Sequence, residues 1–207
     1  MAIIKVIFIL PEGNTSYPEN NKVIRDDNKS GDGTMNIRKA EPADCSGIAR
    51  VHVDAWHETY KGLISDEYLN SLSYDEKTER WRKTIGDDSR PERTLVIENE
   101  SREIVGFAFF GPNLEKEYEY DADLHAIYLL RACQNQGLGS KLIKAAVKEM
   151  LELGYNSLII WALKDNRYCW FYERLGGIKV EERLYSYCSQ EVKLIGYGWK
   201  DIRTVLI

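Results

Sequence analysis

A glycine-rich turn between an apolar strand pattern and an amphipathic helix pattern constrains the fold of this chain more than any other feature. Residues 124–130 are mostly apolar, and residues 134–139 read Gln-Asn-Gln-Gly-Leu-Gly. A helix is predicted from about Ser140 to Leu153, because apolar residues recur there at helical spacing. The free N–H groups and the dipole at the start of such a helix attract anions. The pattern therefore predicts a phosphate-binding turn.

Three phosphate-binding patterns can be compared with this turn. A P-loop needs Lys after its second glycine, where this chain has Ser140, and a Rossmann turn needs a third glycine, where it has Leu142. The third pattern, Gln/Arg-x-x-Gly-x-Gly/Ala, is matched by Gln134, Gly137 and Gly139. This match resembles the pyrophosphate loop of the GNAT superfamily of N-acetyltransferases.

Three further segments carry the same resemblance. Residues 123–130 resemble the strand that precedes this loop in the family, and residues 56–64 resemble the first-helix region of one bacterial branch. Downstream, Asn166 and the aromatic run at 170–176 are similar to the family's Asn…Phe-Tyr-x-x-x-Gly signature. The resemblance covers roughly residues 35–207, which we expect to form one GNAT domain.

The predicted order of elements is two helical segments, three strands, a helix, a strand, a second helix and two final strands, an α/β chain of the α+β type. The resemblance implies the acyl-CoA N-acyltransferase fold of the GNAT family. In that fold a mixed, mostly antiparallel central sheet is flanked by helices and contains one splayed parallel strand pair. Here the pair would be residues 124–130 and 157–163.

The beginning of the chain does not match this pattern. Residues 1–10 are nearly all apolar, and residues 11–34 are rich in Pro, Gly, Asn, Ser, Thr and Asp. The apolar run is too short to span a bilayer, which needs about 20 residues, and no signal-peptide cleavage site follows it. We expect residues 1–34 to be a disordered or non-native extension, with Met35 as a candidate native start. The alternative is a β-strand that adds to a sheet edge.

The composition and net charge argue against several kinds of binding partner. The net charge of −5 argues against a basic nucleic-acid-binding surface. Four cysteines without a Cys-x-x-Cys pair are typical of reduced thiols in the cytoplasm. Two of the three histidines, His52 and His57, fall on different faces of a helix and lack the spacing of a metal site. We therefore expect a cytoplasmic protein that binds no metal, nucleic acid or membrane.

The resemblance implies that acetyl-CoA lies between the splayed strands as the co-substrate. Backbone groups of the first strand would pair with its pantetheine arm, as an added strand does. Amides of the glycine-rich turn would hold the pyrophosphate, and Asn166 would bind the arm from the other side. The residues implied to bind the cofactor are Ile127, Tyr128, Leu129, Gln134, Asn135, Gln136, Gly137, Leu138, Gly139, Ser140 and Asn166.

The resemblance also implies that the amine attacks the thioester directly and that no acyl-enzyme forms. Tyr172 stands at the family's position for the acid that protonates the CoA thiolate, although an aromatic at this point in the chain can equally be a core residue. For the base, Asp123 and His125 are candidates, because they alternate onto one strand face with Ile127 and Leu129.

Other acceptor-side residues stay open at this stage. Glu58 and Glu117 are further candidates for the base. Trp56 and Tyr60 lie four residues apart on one helix face and are candidates to line the acceptor pocket, with core packing as the alternative.

The sequence thus predicts an N-acetyltransferase that moves the acetyl group of acetyl-CoA to a primary amine of a small molecule. A polyamine, an amino sugar or antibiotic, and an amino acid are the acceptor types considered, and the acidic stretch at 115–123 favours a cationic one. The alternatives are a protein amino-group acetyltransferase and a non-catalytic acyl-CoA-binding module. Either a monomer or a homodimer fits the pattern.

Overall fold

The structure is a computed structural model that describes residues 35–115, 117–187 and 190–207. The expectations for residues 1–34 lie outside this range. Within it the five α-helices are α1 (Cys45–Tyr60), α2 (Asp66–Asn70), α3 (Tyr74–Ile85), α4 (Leu138–Glu152) and α5 (Cys169–Arg174). The seven strands are β1 (Asn36–Lys39), β2 (Arg93–Glu98), β3 (Ile104–Pro112), β4 (Ala122–Leu129), β5 (Leu158–Leu163), β6 (Ile178–Tyr187) and β7 (Gln190–Trp199). Short 3-10 segments lie at Pro42–Asp44, Arg131–Cys133 and Ile202–Leu206.

The seven strands form a single mixed sheet in the order β1-β2-β3-β4-β5-β7-β6. Five of the neighbouring pairs are antiparallel, and β4 and β5 are parallel. The parallel pair is joined at only two positions, Ala122 with Leu158 and Asp123 with Ile159. Beyond these positions the two strands separate, which confirms the predicted mixed sheet with a splayed parallel pair.

Helices cover both faces of the central strands β3 and β4, whose residues are nearly all buried. On one face, Phe107 and Phe109 of β3 pack against the Trp81 ring of α3. On the other face, the Leu129 side chain of β4 lies beside Gly139 of α4. No helix within the described ranges is long and apolar enough to cross a bilayer.

Two helix starts differ from the predicted ones. Helix α4 begins at Leu138 instead of Ser140, because Gly137 adopts a left-handed conformation and forms the N-cap. Helix α5 begins at Cys169 instead of following directly on Asp165 or Asn166. The Asn166 side chain instead accepts a hydrogen bond from the Tyr168 N–H (3.0 Å), which makes a turn before the helix.

The sequence patterns did not predict the edge strand β1. A cluster of charged side chains holds this strand against β2 and the start of α1. The Arg38 guanidinium donates to Glu98 of β2 (2.7 Å) and to Asp44 before α1 (2.6 Å). Burial raises the pKa of both carboxyl groups, but hydrogen bonds, including those from Arg38, bring each pKa below its ordinary value. Folded-state pKa values that are lowered stabilise the protein above about pH 4, and this contribution is lost as the pH falls through them.

We expect Arg38→Gln to destabilise the fold by about 3 kcal/mol at pH 7, because two largely buried carboxylates lose their partner. The same variant should lose less stability than the natural chain when the pH is lowered from 7 to 3. Urea unfolding at the two pH values measures both effects. An unchanged free energy of unfolding at pH 7 would show that the cluster contributes nothing.

Candidate active site

The splay of β4 and β5 opens a cavity of about 880 Å³. The end of α1, the C-terminal half of β4, the start of α4, helix α5 and the final 3-10 segment all contribute to its wall. The described lining contains no Asp, Glu or His, and its two cationic side chains are Lys144 and Arg174. The cavity therefore suits a long ligand that carries negative charge.

The glycine-rich turn presents an open helix start to this cavity. Gly137 has a φ of +76° and Asn135 a φ of +60°, so both are left-handed. An added Cβ at Gly137 would meet no atom within 4 Å, so the space beside it is free. Within the described structure no side chain caps α4, and its first N–H groups are therefore available to an anion.

The two walls of the cavity are joined by a pair of hydrogen bonds. The Tyr168 hydroxyl, just before α5, donates to the Gln134 side-chain oxygen (2.7 Å). The Gln134 amide nitrogen donates to the carbonyl oxygen of Leu129 at the end of β4 (3.1 Å). Gln134 thus holds the turn between the two splayed strands.

The residues that the resemblance implies for the cofactor fall into two groups. Gln136 and Leu138 are absent from the cavity wall: Gln136 is exposed and donates to the Ala132 carbonyl (2.9 Å), and Leu138 is buried in the core. The others line the cavity: Ile127, Tyr128, Leu129, Gln134, Asn135, Gly137, Gly139, Ser140 and Asn166.

Three tyrosines lie at the α1 end of the cavity. The hydroxyls of Tyr60 and Tyr128 are 3.2 Å apart, and Tyr172 of α5 reaches the same cavity. Tyr172 is 4% exposed, and its ring lies 5.6 Å from that of Tyr197 on β7. Burial, and to a lesser extent Cys169, raises the pKa of Tyr172 well above its ordinary value of 10. Its hydroxyl is therefore protonated at neutral pH.

The strand alternation predicted for Asp123 and His125 is corrected by a bulge in β4. Phe109 pairs with Ala126 and Phe110 with Leu124, so His125 is the extra residue. The His125 ring contacts Phe109 (5.2 Å), on the α3 face of β3, and so does not share the face of Leu129.

The Asp123–His125 pair lies behind the cavity wall. Asp123 is fully buried and His125 is 5% exposed, with 3.6 Å between His125 Nδ1 and Asp123 Oδ1. Neither residue lines the cavity.

Of the two aromatic residues suggested for the acceptor pocket, Tyr60 lines the cavity and Trp56 does not. Trp56 is fully buried, with its ring 5.1 Å from that of Tyr60 and 5.6 Å from the Lys77 ammonium. Trp56 thus supports Tyr60 from behind.

The sequence predicts that the protein binds no metal. Within the described part of the chain, no three His, Cys, Asp or Glu side chains come together as a metal ion needs. Absence of a metal stays a prediction.

Several cavity residues escaped the sequence patterns. Lys144 lies one turn beyond the glycine-rich turn, and Trp170 and Arg174 lie one turn apart on α5. The four-residue spacing of Trp170 and Arg174 is detectable in the sequence, but it does not show which face of the helix lines the cavity. Thr204 and Ile207 come to the cavity only because the chain returns along α4 after β7.

Comparison with known proteins agrees with this architecture. The sequence profile of the Acetyltransferase (GNAT) family matches residues 47–177. A relative from Bacillus subtilis (strain 168), named uncharacterized N-acetyltransferase YuaI, is 34% identical over 169 residues, which are 81% of this chain and 94% of that protein.

Solved structures show the same fold. The PaiA N-acetyltransferase from Thermoplasma acidophilum, in complex with coenzyme A, has a TM-score of 0.61 at 18% identity and covers 80% of this chain and 99% of its own. Salmonella typhimurium yncA, solved with its cofactor acetyl-CoA, has a TM-score of 0.61 at 20% identity over 82% of this chain and 94% of its own. The family profile, the relative and the splayed sheet together establish that the chain belongs to the GNAT acetyltransferase family.

Proposed function

We propose that this enzyme transfers the acetyl group of acetyl-CoA directly to a primary amine of a small molecule. The observation that carries the proposal is the left-handed start of α4, which no described side chain caps and which opens into the cavity between the splayed strands. The two structural neighbours solved with coenzyme A or acetyl-CoA support this choice of co-substrate.

The residues of the cavity wall support this choice for the pyrophosphate and the pantetheine arm of acetyl-CoA. The pyrophosphate would accept hydrogen bonds from amides of the glycine-rich turn, at the positive end of the α4 dipole. The pantetheine arm would extend along Ile127 and Leu129, where β4 no longer pairs with β5. Asn166 would bind the arm from the β5 side.

The reaction needs three proton transfers. An alkyl amine with a pKa of about 10.4 must lose a proton before it attacks, which costs about 4–5 kcal/mol at pH 7. The amine nitrogen then bonds to the thioester carbon, the C–S bond breaks so that the sulfur leaves as thiolate, and the nitrogen loses a second proton to become the neutral amide. We assign the proton that the thiolate takes up to Tyr172, whose raised pKa keeps its hydroxyl protonated.

For the proton that leaves the amine before it attacks, we propose the Asp123–His125 pair. Its His125 lies two residues before the cavity-lining Ile127, behind a wall whose described residues include no Asp, Glu or His. A water molecule would therefore have to carry the proton from the cavity to His125.

His125→Gln is expected to lower kcat/KM by about tenfold, because water can still accept the proton less efficiently. Glu58→Gln is the matched comparison, since one Glu58 oxygen is buried with no hydrogen-bond partner among the described residues, and Glu58 precedes the cavity-lining Thr59. We expect it to change kcat/KM less than threefold. Steady-state kinetics at pH 7 compare the two, and the reverse order would place the base on α1.

A cationic acceptor, which the acidic stretch at 115–123 favours, stays a prediction. Glu115 pairs with Arg183 (3.0 Å), and Asp121 accepts hydrogen bonds from the N–H groups of Asn156 and Ser157. Two carboxylates of this stretch are thus used within the fold. That the acceptor is a small molecule and not a protein amino group stays a prediction. The cytoplasmic location and the monomeric or homodimeric state also stay predictions.

The experiment that tests the function is free-thiol release from acetyl-CoA with a panel of amines. The panel should contain polyamines, amino sugars, amino acids and a peptide with a free N-terminus. We expect release above background with at least one small amine. If CoA raises the melting temperature but no amine stimulates release, the chain is a CoA-binding module. Stimulation by the peptide alone would identify a protein acetyltransferase.

A further inference from the structure

We infer that Trp170 and Arg174 bind the 3′-phosphoadenosine end of CoA and that Arg174 distinguishes CoA from its 3′-dephospho form. The inference rests on the proposed function, because it assumes that CoA occupies the cavity. It concerns the part of the cavity wall that α5 contributes.

The two side chains form one unit on α5. They are four residues apart, so they lie on the same face of the helix, and the Arg174 guanidinium carbon is 5.7 Å from the centre of the Trp170 ring. Both residues line the cavity. Trp170 is 48% exposed, which leaves much of a large aromatic surface open to a ligand.

This unit borders the glycine-rich turn. The Phe171 ring lies 3.5 Å from the place where a Cβ of Gly139 would be. The Trp170 ring in turn lies 6.3 Å from that of Phe171. A ligand whose pyrophosphate sits on the turn can therefore reach Trp170 and Arg174 with its next group.

Arg174 is the cation best placed to serve this group. The Lys144 ammonium already donates to the oxygens of Leu206 (3.1 Å) and Ile207 (3.0 Å). In the described structure no carboxylate pairs with Arg174, and the neighbouring Glu173 pairs with Lys179 (3.0 Å). The Arg174 guanidinium is thus a cation in the cavity wall with no anionic partner among the described residues.

The chemistry of CoA matches this pair. In CoA, the ribose next to the pyrophosphate carries both a 3′-phosphate and a flat adenine ring. An indole face stacks on a nucleobase, and a guanidinium binds a phosphate through two parallel hydrogen bonds. The 3′-phosphate is mostly a dianion at pH 7, because its second pKa is about 6.

The test compares the affinities of CoA and 3′-dephospho-CoA by isothermal titration calorimetry. In the natural chain we expect CoA to bind about 30-fold more tightly, as a charged hydrogen-bonded pair implies. Arg174→Gln should remove this preference by weakening CoA alone, and Arg174→Lys should restore part of it. Arg203→Gln removes an exposed arginine of the neighbouring 3-10 segment that pairs with Asp201 outside the cavity, and it should leave the preference unchanged.

Trp170→Leu should weaken both ligands about tenfold, because both contain adenine, and Trp170→Phe should restore most of that loss. An unchanged preference in Arg174→Gln, with tight CoA binding, would overturn the role of Arg174 and leave the proposed function intact. Failure of the natural chain to bind either ligand would overturn both.

Discussion

Gly137→Asp is expected to abolish CoA binding, with a rise in Kd of about 10³-fold or more. Gly137 has a φ of +76°, which costs a residue with a Cβ about 1–2 kcal/mol. The new carboxylate would occupy the free space beside the helix start, where the pyrophosphate is proposed to bind. Two like charges brought together at this place add several kcal/mol, so charge repulsion is the larger effect.

A second glycine, at the other end of the same helix, provides the control. Gly154 lies just beyond the C-terminal end of α4, has a φ of +88°, and likewise has no atom within 4 Å of an added Cβ. Gly154→Asp should therefore share the backbone strain and keep the natural affinity for CoA.

Gly137→Ala separates the two effects at the turn itself, because it adds a Cβ without a charge. We expect its Kd to rise about tenfold, because a strained turn relaxes in the free protein and has to regain its left-handed conformation when CoA binds. Calorimetric titration with CoA measures all three variants, and thermal unfolding shows whether each is folded. Tight CoA binding by Gly137→Asp would place the pyrophosphate elsewhere.

The glycine-rich turn could be predicted because its conformation is encoded locally. A left-handed Gly137 before an amphipathic run is a property of a few consecutive residues, and the structure puts the start of α4 within two residues of the predicted one. The splayed strand pair was predictable only through the family resemblance, because parallel pairing joins residues far apart in the chain.

The position of Asp123 and His125 shows where local patterns fail. Simple alternation assigns them to the face of Ile127 and Leu129. The actual face depends on the bulge opposite Phe109 and Phe110, and a bulge is fixed by the partner strand β3. A single sequence does not reveal an extra residue in one strand of a pair.

Edge strand β1 escaped prediction for a related reason. Its four residues are too few to establish an alternating pattern. What holds it is the set of hydrogen bonds from Arg38 to Asp44 and Glu98, of which Glu98 is 60 residues away in the chain. Such pairings become visible only once the sheet order is known.

Tyr172→Phe is expected to lower kcat by about 10²-fold while KM for acetyl-CoA changes less than threefold. The substitution removes one hydroxyl and keeps the ring, which packs against Tyr197. A general acid contributes to the transition state, where charge develops on sulfur, and little to ground-state binding. Because burial raises the pKa of Tyr172, its own ionisation should not lower kcat below about pH 10 in the natural enzyme.

Tyr197→Phe is the matched control for this prediction. Its ring is buried beside that of Tyr172, but its hydroxyl donates to Glu173 (3.2 Å) and the residue does not line the cavity. We expect kcat to stay within threefold of the natural value. Both variants should be assayed by thiol release at saturating amine, with the melting temperature measured alongside. If kcat of Tyr172→Phe equals that of Tyr197→Phe, Tyr172 serves only in packing, and the thiolate must take its proton from water or from the amine nitrogen as the amide forms.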